Sequence, residues 1–196
     1  MLDSKVEEFH SRDLDSLPTE REILAVKEFS LNNNFQFHIM RDHRQHVAPI
    51  TAGMWGAKPN KNPQFSQFFM NRLMESSQNP TILHQHRKYT DQIILARYLY
   101  PYLNGKILMF GYISLLLHFF LIYMFSKNLG IVLIHDAYNC ISMRMNSTKA
   151  FPSKRSENDP YNYVGAIHDG STMNKPMLEI CPPPCRPKQH QDWIYC

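Results

Sequence analysis

The chain has no run of lysine or arginine longer than two residues. Its 21 basic and 17 acidic residues leave a formal charge of +4, spread so thinly that a nucleic-acid partner is not expected. No apolar run follows the initiator methionine. Asp3, Lys5, Glu7 and Glu8 stand there instead, so no secretory signal is expected at this N-terminus. No internal repeat recurs, which sets a repeat architecture aside. Cysteines are few: Cys140, Cys181, Cys185 and Cys196. They allow two disulfides in three possible pairings, and only in an oxidising compartment. The sequon Asn146-Ser147-Thr148 has value only in such a compartment. What the chain does have is 43% apolar residues within 196, enough for the core of one domain. It also has ten histidines, several of them clustered in "HIMRDHRQH" (38–46) and "HQHRK" (84–88).

The elements read as a mixture. Thr19-x-x-Glu22 fits a capping box after Pro18, and Ile23, Val26 and Phe29 form an apolar stripe on the helix that follows. "SLNNN" (30–34) ends it. "FQFHIM" (35–40) alternates as a half-buried strand does. Gly53 and Gly56 bracket Met54-Trp55, which predicts a turn where backbone approaches something closely. Phe65, Phe68, Phe69 and Leu73 lie at helical spacing. So do Ile94, Leu95, Tyr98 and Leu99 after a Thr90 cap, with Pro101 as the expected stop. "GIVLIHDAYNC" (130–140) reads as a buried strand feeding a polar cluster. From 151 the chain is proline-rich with little periodicity. Strand and helix mix, so the class is α/β.

One segment stands apart. "ILMFGYISLLLHFFLIYMF" (107–125) has nineteen residues without a charge, between Lys106 and Lys127, and is long enough to cross a bilayer core of about 30 Å. It divides the chain into 1–105, an apolar helix at 106–128, and 129–196. If it spans, the protein is a single-pass membrane protein with its two parts in different compartments. The other readings are a buried core helix and a foreign insert, such as translated non-coding sequence, in a continuous domain.

The chemistry centres on "FHSRDLDSLPTE" (9–20), where Asp13 and Asp15 stand one residue apart. Like charges this close repel unless a cation or water separates them. A hard divalent ion takes oxygen ligands, and a diphosphate can complete its shell. Taken with "FHIMRDHRQH", "ITAGMWG", "DQ", "HDAYNC", "FPSKR…YVG" and "CPPPCRPKQHQDWIYC" in that order, the chain resembles glycosyltransferase-like proteins, the nucleotide-diphospho-sugar transferases of GT-A (Rossmann-like) fold. The resemblance covers about 8–102 and 130–196. It implies Mn²⁺ or Mg²⁺ on Asp13 and Asp15, with His135 completing the shell and Asp91 as the catalytic carboxylate near the sugar. It further implies a sugar and acceptor pocket from Gly53, Met54, Trp55, Gly56, Gln92 and Asp136, and phosphate contacts from Lys154 and Arg155. The implied partners are a nucleotide-sugar donor and a glycan or other hydroxyl acceptor. Only twelve residues precede Asp13, where βαβ units bind the nucleotide in GT-A domains, so the resemblance implies a fragment, an enzyme only when its donor-binding half is supplied. Two other classes compete: a small membrane protein without catalysis, and a zinc-knuckle-like tail built from Cys181, Cys185, His190 and Cys196.

Overall fold

A computed structural model describes residues 3–79, 89–103, 132–140, 148–158, 163–166 and 179–195. Five strands form one mixed sheet: β1 (Phe9–Arg12), β2 (Phe37–Arg41), β3 (Met54–Ala57), β4 (Val132–Asp136) and β5 (Thr148–Lys149), in the order β1-β3-β2-β4-β5. β3 runs antiparallel to both β1 and β2, whereas β2, β4 and β5 are parallel. The strands β1, β2, β4 and β5 therefore all end at one edge of the sheet. Charged residues collect there: Arg12-Asp13, Arg41-Asp42 and Asp136.

Helices cover both faces, as the period-two alternation of the strands requires. On one face Phe37, Ile39, Trp55, Ala57, Val132 and Ile134 pack against helix α2 (Pro63–Ser77) and the helical segment 90–103. On the other, Met40 and Met54 meet Ala25 of helix α1 (Glu20–Leu31), and Phe29 of the same helix stacks on His38. α1 starts where the sequence predicts, with Thr19 Oγ accepting from the Glu22 amide at 3.1 Å. Its last turn is closed by Lys58, whose Nζ donates to the carbonyls of Phe29, Ser30 and Asn32. The expected stripe is rotated. Ile23 is exposed, and the buried face carries Arg21, Glu22, Ala25 and Phe29, because the two charged residues make ion pairs beneath the helix.

Two local expectations are corrected. Met54-Trp55 is not a turn but part of β3, fully buried between β1 and β2. Pro101 does not end its helix. Helix α3 (Thr90–Ile94) passes through a π-helical turn (Leu95–Leu99) into helix α4 (Tyr100–Leu103), with Pro101 in the first turn of the last piece. A proline lacks the N–H that a regular interior would use, and widened turns absorb such defects.

β2 and β4 are hydrogen-bonded neighbours along five residue pairs. This pairing places the chain before residue 104 and the chain after 131 on one side of any membrane, against a single crossing between them. The apolar stretch 107–125 itself lies outside the described residues. Among those described, no helix is long and apolar enough to cross a membrane.

The tail is stapled by a disulfide from Cys140, just beyond β4, to Cys185, and Cys181 is disulfide-bonded as well. Two cysteines of the zinc-knuckle reading are thus oxidised and unavailable as thiolate ligands, which removes it.

Candidate functional site: a carboxylate cluster at the sheet edge

β1 delivers Arg12 and Asp13 to the sheet edge with opposite fates. Arg12 turns toward α1, where its Nη1 donates to both oxygens of Glu22 at 2.9 and 2.8 Å. Its Nη2 donates to the Ser16 carbonyl at 2.9 Å and to Ser16 Oγ at 3.1 Å. Ser16 Oγ in turn donates to the Asp13 carbonyl at 3.3 Å. One planar guanidinium therefore fixes both ends of the Asp13–Ser16 turn to the helix after it.

Asp13 points the other way, onto Gly53. A β-carbon on Gly53 would stand 2.3 Å from Asp13 Cγ and 2.4 Å from each carboxylate oxygen. No side chain other than hydrogen leaves that seat open. The Asp13 carboxyl is held above the usual carboxylate range, first by burial, then by the charges of Asp15 and Asp91; Arg12 opposes them. Asp91, in the first turn of α3, accepts from the Gln92 amide at 2.8 Å. Asp13 lies against Gly53, and Asp15 and Asp91, both exposed as Asp13 is, stand near enough for their charges to act on it, at the edge where ligands of open α/β sheets bind.

Other expected site residues go elsewhere. His135 is fully buried. Its Nδ1 is 2.8 Å from His38 Nε2, and its Nε2 is 3.3 Å from Glu28 Oε2. β4 is three strand spacings from β1, about 14 Å, so His135 does not share a coordination shell with Asp13. Asp136 is equally buried. Its Oδ2 pairs with Arg41 at 2.7 Å, while Oδ1 accepts from the Tyr138 and Asn139 amides, which shapes the loop after β4. Trp55 is 7% exposed and packs edge-on against Phe9 and Phe69. Met54 is buried with its sulfur under Gly165, and Gly56 makes room for the His10 ring. Gln92 is half-buried beside Asp91. Lys154 is paired with Glu157. Arg155 is buried against Asp42 rather than presented to solvent.

Asp42 is the residue that the sequence does not single out. Its Oδ1 accepts from Arg155 Nη2 at 2.7 Å, and its Oδ2 accepts from Arg21 Nε at 2.8 Å and the Val164 amide at 3.0 Å. It joins β2, α1 and the late loops through one carboxylate. The available signal was the Arg-Asp pair that closes both β1 and β2.

Among the described residues, no three His, Cys, Asp or Glu side chains gather closely enough to hold a metal ion unaided. Asp13 and Asp15 suit a hard cation only as a pair, with the remaining oxygens supplied by a ligand, the usual arrangement for Mg²⁺ on phosphates. No protein-family model, curated protein or solved structure matches the chain.

Proposed function

We propose that this chain carries the metal-and-sugar side of a GT-A-type nucleotide-diphospho-sugar transferase, moving a sugar from a nucleotide-diphosphate donor to a hydroxyl acceptor. The observation that carries the reading is the seat of Asp13: a carboxylate placed on a glycine, with its proton affinity raised first by partial burial and then by the charges of two further carboxylates. Excess negative charge of this kind is relieved by a cation. The order of motifs along the sequence and the position at the strand ends support the same reading.

Asp13 and Asp15 are the residues that would hold Mn²⁺ or Mg²⁺. Bound there with a diphosphate, the cation supplies charge neutralisation to a departing nucleotide. The chain's own residues do the rest. Arg12 and Glu22 hold the turn, and Gly53 leaves space for the Asp13 carboxylate. Asp91 presents an acceptor to a sugar hydroxyl from a helix start, with Gln92 beside it.

Titrating UDP and GDP into the protein with and without Mn²⁺ tests this. Nucleotide affinity is expected to depend on Mn²⁺ and to lose that dependence in Asp13→Asn. Unchanged Mn²⁺-dependent affinity in that variant contradicts the assignment.

A further inference from the structure

Three histidines lie in one row under α1. His10 of β1 and His38 of β2 stand opposite Gly56 of β3 from its two sides. β4 adds His135, whose Nδ1 is 2.8 Å from His38 Nε2. Phe29 of α1 stacks on His38 and meets His10 edge-on. Glu28 of the same helix reaches His135 Nε2 at 3.3 Å and also pairs with Lys149. His38 and His135 are both sealed from solvent.

The charge on Glu28 fixes the protons along this chain. Hydrogen bonds from His135 and Lys149 hold its carboxyl at about 2, so it accepts and His135 Nε2 donates. A neutral His135 then offers Nδ1 as an acceptor, and His38 Nε2–H donates to it. His38 Nδ1 is left as a lone pair, buried with no hydrogen-bond partner among the described residues. An added proton has no good place. On His38 it sits at that Nδ1, where nothing accepts it. On His135 it sits at Nδ1 and faces the N–H of His38. The carboxylates nearby are already committed: Glu28 to Lys149, and Glu8 to His10, Ser30 and Lys58. Arg21, bound to Asp42, adds a further positive charge.

The two ends of α1 are held differently. Ion pairs of Glu22 with Arg12 and of Arg21 with Asp42 pin its first turn. Its second half rests on the histidine row through Glu28 and Phe29, beside a cavity of about 390 Å³ lined by Glu8, Ser30 and Lys58. We propose that His38 and His135 form an acid-operated latch: a proton on either ring releases residues 26–31 of α1 from the sheet, while the ion-paired first turn and the strands stay in place. The latch shares no residue with the Asp13 cluster and does not depend on the transferase reading. Burial is the main force that holds both rings below the usual histidine range. Above about pH 6.5 both are neutral whether or not the helix is seated, and the latch is closed. Below it the released state takes up protons that the seated state refuses. Release then grows up to about tenfold per pH unit for each histidine.

Native-state amide hydrogen exchange of the full chain, from pH 7.5 to 5 in low urea, tests this. Amides of 26–31 are expected to open with a steep dependence on pH and little on urea. They should be less protected than those of α2, which open only with the whole fold. Equal protection and equal urea dependence of the two helices at pH 5 mean that α1 leaves only on global unfolding, and overturn the latch. Imidazole ¹⁵N shifts at pH 7.5 check the proton placement without any variant. Nε2–H is expected on both His38 and His135, and Nδ1–H on either overturns the latch. His38→Gln keeps a donor for His135 Nδ1 and removes one titrating ring. At pH 5.5 it is expected to show about tenfold less acid-driven release than the parent; equal release overturns the role of His38.

Discussion

The carboxylate of Asp13 occupies the place where a side chain on Gly53 would begin, with all three of its terminal atoms within 2.4 Å of a β-carbon built there. The atoms in conflict are the far end of a side chain, which can swing away at small cost. Gly53→Ala is therefore expected to change stability by less than about 1 kcal/mol, within the range of ordinary surface changes. It should nevertheless weaken Mn²⁺-dependent nucleotide binding about tenfold, by evicting Asp13 from its seat. Thermal melting and nucleotide titration of the variant separate the two effects; equal nucleotide affinity in Gly53→Ala removes Asp13 from the site.

Asp42 should be the most costly single carboxylate to remove. Asp42→Asn leaves Arg21 and Arg155, both buried, without the charge that they share. Breaking a buried ion pair from one side costs about 3–5 kcal/mol. Urea unfolding reads this directly, and a loss below about 1 kcal/mol would show that the arginines find other partners.

Stability should fall with acid, beginning near the pH at which free histidine titrates. Burial holds His38 well below its ordinary 6.5, lowers His135, and brings His46 to about 3. Below about pH 6.5 the unfolded chain takes up these protons and the folded chain does not. Each such histidine then removes up to about 1.4 kcal/mol per pH unit until its folded value is reached. Glu28 works in the same direction at lower pH. Hydrogen bonds from His135 and Lys149 hold it at about 2, so its contribution is complete above about 4.5 and is lost as pH falls toward 2. Urea midpoints at successive pH values from 7.5 to 5 check the histidines, and a flat profile would contradict their burial as neutral rings.

The Cys140–Cys185 bridge closes a loop with a sequence separation of 45. On the chain-entropy account such a loop is worth about 4 kcal/mol. Cys140→Ser with Cys185→Ser is expected to lose about that much, measured by denaturant unfolding. A variant as stable as the parent would show that the tail docks without the staple. Disulfides of this kind persist in oxidising compartments.

Much of the fold was legible locally. The Thr19 cap and the run ending in His135-Asp136 each state a local preference that packing did not override. The alternation in 35–40 predicts a half-buried strand, whereas the strand at Phe37–Arg41 is buried on both faces. β3 was hidden because a four-residue strand that itself contains Gly56 carries too little alternation to distinguish a strand from a turn. The role of Asp42 was hidden for another reason. Arg-Asp closes both β1 and β2, yet Asp13 is exposed and Asp42 is buried. The difference is set by Arg155, 113 residues away, and no local pattern encodes that distance. Likewise, Cys185 reads as a metal ligand within the tail until Cys140 reaches it from beyond β4. That the charge of Asp91 reaches Asp13 follows from helices and strands that sequence spacing does not relate.

The most direct test of the carboxylate site is where a paramagnetic cation settles. Sub-stoichiometric Mn²⁺ with UDP, followed by amide line broadening, should affect residues 13–15, Gly53 and Asp91 first, and Asp13→Asn should abolish the effect. Broadening centred on His135 and Glu28, or none that saturates, would contradict the account.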